Sequence, residues 1–132
     1  MPAALLAQFD QAIAEAGYAN RSEAIRDIAR DYLVRRQWED PEGQVVGTVT
    51  LIYDHHTREL ADALTDVQHE CHGCIICSTH VHLDHHNCLE LIAVRGTSAE
   101  VRHVAQRLLS MRGVKHGGLT ATAVPEDAAH RH

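Results

Sequence analysis

All four cysteines of the chain, Cys71, Cys74, Cys77 and Cys88, fall between Gln68 and Gly96, together with His69, His72, His80, His82, His85 and His86. Thiols and imidazoles are the side chains that hold borderline and soft metal ions, so this crowding points to metal binding before any other chemistry. His80-Val81-His82 lies in a run from Ile75 to Leu83 rich in β-branched and apolar residues. That run predicts a strand, and side chains two apart on a strand share a face. The turn-forming Asp84-His85-His86-Asn87 and a second strand-like run, Cys88 to Arg95, predict a hairpin that folds the Cys88 thiolate back toward the two imidazoles. One hairpin thus offers three metal ligands.

The remaining elements must position that hairpin within a chain of 132 residues. Such a length suits one compact domain or two small ones, leaves no room for a large catalytic domain, and invites oligomerisation. With 45% hydrophobic and 23% charged residues the composition is that of a globular protein, aromatics being scarce at 4%. No run approaches the ~20 apolar residues needed to cross a bilayer, and no charged-then-apolar segment opens the chain, which predicts a cytoplasmic protein without a membrane partner. In a reducing compartment clustered cysteines mixed with histidines favour metal over disulfides. A net charge of -6 argues against a protein coated with basic residues for nucleic acid, and leaves room for a local basic patch.

Along residues 3–16, Leu5, Leu6, Phe9, Ala12, Ile13 and Ala16 recur at helical spacing, and Gly17 is placed to end the helix in a left-handed residue. Asn20-Arg21-Ser22-Glu23 has the form of a capping box with Asn20 as N-cap, opening a helix lined by Ile25, Ile28, Ala29, Tyr32 and Leu33. Two short helices alone bury too little, and their apolar stripes demand a partner, most simply the same pair from a second chain. Residues 37–44, with proline, glycine and acids but no periodicity, read as a linker. Val45 to Tyr53 is β-rich, and Thr57 to Cys71 carries Leu60, Ala61, Leu64, Val67 and Cys71 on one helical face. After the hairpin, Thr97-Ser98-Ala99-Glu100 offers a second capping box, Val101, Val104, Ala105, Leu108 and Leu109 form an apolar stripe, Gly113 stops the helix, and Leu119 to Val124 alternates as a closing strand. The order βαββαβ predicts an α+β, ferredoxin-like domain, an antiparallel sheet with two helices on one face. The expected division is a helical module at 1–38, a linker at 39–44, a metal-binding domain at 45–125 and a flexible tail at 126–132.

Taken together, these residues resemble the nickel-responsive repressors of the NikR type, which join a ribbon-helix-helix module to a ferredoxin-like, ACT-type regulatory domain. The resemblance spans nearly the whole chain. It is most specific at Gly17-Tyr18, at Asn20 through Asp27, at Val67-Gln68-His69, His80-Val81-His82 and Cys88-Leu89-Glu90, and at Arg112 through Gly117. It implies that His80, His82 and Cys88 are Ni(II) ligands, joined by His69 from a neighbouring subunit across a tetramer interface. It further implies a homotetramer built as a dimer of dimers, DNA binding at a palindromic operator, and repression of nickel uptake genes. Asn20, Arg21 and Ser22 would then meet the phosphate backbone at a helix N-terminus. Glu23 and Asp27 match acids that bind a second cation in the family, and Tyr53 and Glu90 match positions that hold ligand histidines in one tautomer.

The chain departs from the family in two places. A ribbon-helix-helix protein reads bases with a strand before its first helix, and here Met1-Pro2 stands directly before that helix, so a ribbon of about seven residues is absent from the chain as written. Either the start lies at an internal methionine or specific DNA binding has been lost. The second departure is Cys71, Cys74 and Cys77, every third residue where the family is rich in histidine. Such spacing suits a second zinc or copper(I), three ligands of an iron–sulfur cluster with Cys88 as the fourth, or merely buried small side chains. His55, His56, His72, His85 and His86 read as solvated loop residues or weak metal sites. The functions in competition are a metal-responsive repressor, a metal storage or trafficking protein without specific DNA binding, and a metalloenzyme. No nucleophile motif is present, and four protein ligands leave a substrate little room, so the enzyme is the weakest of the three.

Overall fold

The computed structural model describes residues 2–56 and 59–124. It divides into two compact units, Met1–Arg35 and Arg36–His132. The tail expected at 126–132, and Thr57 at the start of the third predicted helical run, lie outside the described residues.

In the first unit α1 spans Ala3–Glu15 and α2 starts at Arg21. Gly17 takes φ 93, the left-handed conformation that lets the chain leave α1 without a Cβ clash. The predicted N-cap is present: Asn20 Oδ1 accepts from the Glu23 amide at 3.0 Å. Glu23 reaches back one residue further than a strict capping box requires, accepting from the Ala19 amide at 3.4 Å. Arg21 forms two 2.7 Å hydrogen bonds to the Asp10 carboxylate, tying α2 to α1. Ile13 and Ala24 are buried, while Leu5, Ile25, Ile28, Tyr32 and Leu33 remain exposed, Leu33 by 59%.

Helix α2 runs to Glu39, so Gln37 to Glu39, read as the start of a linker, form its last turn. Trp38 is why the helix continues. Its ring is 4% exposed in the second unit, its Nε1 donates to the Thr122 carbonyl at 2.9 Å, and the Arg102 guanidinium lies 5.3 Å from the ring centroid. The elements that follow are β1 (Gln44–Asp54), α3 (Glu59–Glu70), β2 (Ile75–His82), β3 (Asn87–Thr97), α4 (Ser98–Leu109) and β4 (Val114–Thr122). The four strands form one sheet in the order β2-β3-β1-β4, every neighbouring pair antiparallel. That is the α+β, ferredoxin-like arrangement.

Val45, Val49, Leu51 and Tyr53 of β1 and Cys88, Glu90, Ile92 and Val94 of β3 alternate into the buried face. Helix α4 packs on β1, β3 and β4 and lies beside α3, inserting Val101, Val104, Ala105 and Leu108. Its N-terminus carries a complete capping box: Thr97 accepts from the Glu100 amide at 3.1 Å and Glu100 from the Thr97 amide at 2.9 Å. The closing strand starts five residues earlier than the alternation at Leu119 to Val124 suggests. Gly117 and Gly118 hide its first half from any side-chain pattern, and Gly117 is required because a Cβ there would strike the Thr50 carbonyl and the Leu109 side chain. β2 is an edge strand whose residues after Ile75 are all exposed. No helix among the described residues is long and apolar enough to cross a membrane.

Candidate metal centre

The β2–β3 hairpin forms as its turn residues predict, with Asp84 accepting from the amides of His86 and Asn87 at 2.8 Å each and from the Asn87 side chain at 3.0 Å. These bonds hold the Asp84 carboxyl down at about 2. The ladder then sets His82 opposite Cys88 and His80 opposite Glu90, while β1 sets Tyr53 on the other side of Cys88. Because paired and alternate residues share a face, all five side chains stand on the buried face of the sheet.

Cys88 is fully buried. Its Sγ lies 3.8 Å from His82 Nδ1 and 3.2 Å from His55 Nδ1, and the rings of His55 and His82 meet edge-on at 4.7 Å. His55, His82 and Cys88 thereby present donor atoms that all lie within 4.8 Å of one another. A thiol with two imidazoles is a donor set that fits a borderline divalent ion. His80, two residues before His82, is held from behind: its Nδ1 lies 2.9 Å from the Tyr53 hydroxyl and 3.2 Å from Glu90 Oε1. The Tyr53 hydroxyl donates to the same carboxylate oxygen at 3.3 Å. Burial, the Glu90 charge and Cys88 push the Tyr53 hydroxyl up to about 12, so it stays a donor. With Glu90 accepting, a neutral His80 carries its proton on Nδ1 and leaves Nε2 unprotonated.

His69 stands in the last turn of α3 and is not among the donors that converge on Cys88. His55, counted by sequence among the solvated histidines, is drawn into the group. The available signal was its position two residues after Tyr53, just past the end of β1. The iron–sulfur reading fails on register: Cys77 pairs with Ala93 and Cys88 with His82, at opposite ends of the ladder. Cys77 is also exposed rather than packed as a small apolar side chain.

In the helical unit Asn20, Arg21 and Ser22 are exposed at the N-terminus of α2. Asn20 is engaged in capping and Arg21 with Asp10. Asp27 accepts from the Tyr18 hydroxyl at 2.8 Å, and Glu23 from the Ala19 amide.

Comparison with known proteins matches residues 46–122 to the NikR C terminal nickel binding domain and residues 1–36 to the ribbon-helix-helix proteins of the copG family. Among curated relatives named as nickel-responsive regulators, that of Solibacter usitatus is 60% identical over 118 residues, covering 89% of this chain and 85% of its own length. That of Geobacter sulfurreducens is 53% identical over 93% of this chain and 88% of the relative, and that of Thermococcus kodakarensis 48% identical over 96% and 92%. Matched over both of its units, and spanning 85–92% of the length of these relatives, the chain belongs to the NikR family of nickel-responsive regulators.

Proposed function

We propose that this regulator senses Ni(II) through His80, His82 and Cys88 of one chain and His69 of a neighbouring copy, and that the bound metal raises its affinity for a palindromic operator controlling nickel uptake genes. As a member of a family of DNA-binding regulators it is a transcriptional regulator and not an enzyme. The observation that carries the site is the pairing of a buried Cys88 thiol with His82, beside a His80 whose tautomer is set by Tyr53 and Glu90. Three imidazoles and a thiolate in a plane suit Ni(II) or Cu(II), whereas zinc prefers a tetrahedron. His55 would hydrogen-bond the Cys88 thiolate from the side.

The shared ligand implies a homotetramer, a dimer of dimers, in which the exposed strand β2 lies at the joint. The exposed apolar stripe of the helical unit would close the dimer that presents Asn20, Arg21 and Ser22 to phosphate, with Glu23 and Asp27 available to a second cation. Its place of action is the cytoplasm, where its DNA lies. A titration of operator DNA with and without Ni(II) tests the reading. With a ribbon strand restored ahead of α1, nickel should produce sequence-specific binding, and Cys88→Ser should abolish both that gain and the thiolate-to-nickel absorption. Equal, salt-sensitive and sequence-independent binding in every case would defeat the repressor and leave a metal storage or trafficking protein.

A further inference from the structure

Between α3 and β2 the chain turns tightly through Cys71-His72-Gly73-Cys74. Gly73 takes φ 79, and the Cys74 amide donates to the Cys71 carbonyl at 3.1 Å, which brings the two Cα atoms to 5.5 Å and turns both sulfurs to one point. The turn is anchored at both ends: the Cys71 amide donates to the Val67 carbonyl at 2.8 Å, and the Cys74 carbonyl accepts from the Arg95 amide at 2.7 Å. Against the sulfurs stands Glu100 from the first turn of α4. Its Oε1 is held by the Thr97 amide, and its Oε2 lies 3.2 Å from Cys71 Sγ. Cys71, Cys74 and Glu100 present donor atoms within 4.8 Å of one another, and Cys74 is buried.

The structure joins Cys71 and Cys74 in a disulfide; in a reducing compartment the pair opens to two thiols, one of which can donate to Oε2. Thiols satisfy it, and so does a cation shared by two thiolates and the carboxylate. Two sulfurs from a C-x-x-C turn and one carboxylate oxygen are ligands of a tetrahedral ion, at about 2.3 Å for sulfur and about 2.0–2.2 Å for oxygen. We propose that Cys71, Cys74 and Glu100 form a second metal site, for Zn(II) or another thiophilic divalent cation, separate from the Cys88 centre and with its fourth position open to solvent. On a tetrahedral ion the sulfurs stand about 3.7 Å apart, which Cα atoms 5.5 Å apart can span. Binding displaces the two thiol protons to solvent and sets three negative ligands against two positive charges. The occupied site joins the end of α3, which carries His69, to the start of α4. It does not depend on nickel binding, and its failure reads out separately.

The test uses the full chain, reduced with a non-chelating phosphine, loaded with one equivalent of Ni(II) and titrated with Cd(II) as a spectroscopic probe and with Zn(II). One further equivalent should bind, with a thiolate-to-cadmium band in the ultraviolet and protection of two thiols from alkylation. Cys71→Ser and Cys74→Ser should each remove the band, and Cys77→Ser should leave it. Glu100→Gln, whose amide oxygen still caps α4, should weaken cadmium tenfold or more while the fold and the nickel band persist. Absence of the band in the reduced chain would overturn the site. So would a band lost in Cys77→Ser, unchanged cadmium affinity in Glu100→Gln, or a Cys71–Cys74 disulfide forming as fast with saturating zinc as without it.

Discussion

The residue on which the Cys88 centre turns is Tyr53. It donates to a carboxylate, Glu90, that is only 5% exposed, and lies against a histidine, His80, whose outer nitrogen must be free in the proposed nickel site. A ligand imidazole without such support rotates and changes tautomer, and losing a partner of this kind typically costs 10–100-fold in metal affinity. Tyr53→Phe keeps the ring that fills the core and removes only the hydroxyl, so the sheet should stand while nickel affinity falls at least tenfold, as measured by competition with a chelator. An unchanged affinity would show that Glu90 alone holds His80.

At the scale of elements, helix ends carry the structure's most local information. Thr97 closes the capping box of α4, and Thr97→Ala should lower stability by about 1 kcal/mol, read from the urea midpoint at unchanged slope. The α1–α2 pair is joined by Arg21 and Asp10, and the Arg21 hydrogen bonds hold the Asp10 carboxyl below its usual range. A carboxyl depressed on folding contributes stability above its unfolded value of about 3.9, and that contribution is lost as pH falls through the folded value. Asp10→Asn should therefore be less stable than the parent at neutral pH and converge with it on acidification. The pair is exposed, so the difference will be small and reduced by salt. A gap that persists under acid would assign it to helix propensity instead.

For the molecule as a whole, what matters is apolar surface that the single chain leaves uncovered. Ile25, Ile28, Tyr32 and Leu33 on α2 and Ile76, Val81 and Leu83 at the sheet edge are too many and too clustered to stand in water. They lie in two separate units, one for each of the two interfaces that the proposed dimer of dimers would need. Val81 sits between His80 and His82 on the opposite face of β2, so Val81→Lys should block association at that edge and spare the metal-binding face. Sedimentation should then show dimers in place of tetramers. An undiminished mass would remove β2 from the interface. Where nickel joins chains and DNA joins dimers, linkage requires that DNA tighten nickel binding by the factor by which nickel tightens DNA binding.

Features carried by neighbouring residues were legible without a structure. His80 and His82 share a face because strands alternate, Asn20 and Thr97 cap because their side chains accept from amides three residues on, and Gly17 ends α1 because only a residue without Cβ takes φ 93 freely. The βαββαβ order followed from the same short-range periods. What depended on distant segments meeting could be decided only by the tertiary structure. The β1–β3 register brings His55 to Cys88, a carboxylate 29 residues along the chain comes to stand on Cys71, and Trp38, in a stretch with no periodicity, is buried under Thr122. The physical reason is that a strand or a cap is a property of a few consecutive residues. A metal centre is a property of register and packing, and a shift of one residue in either would turn the same ligands to opposite faces.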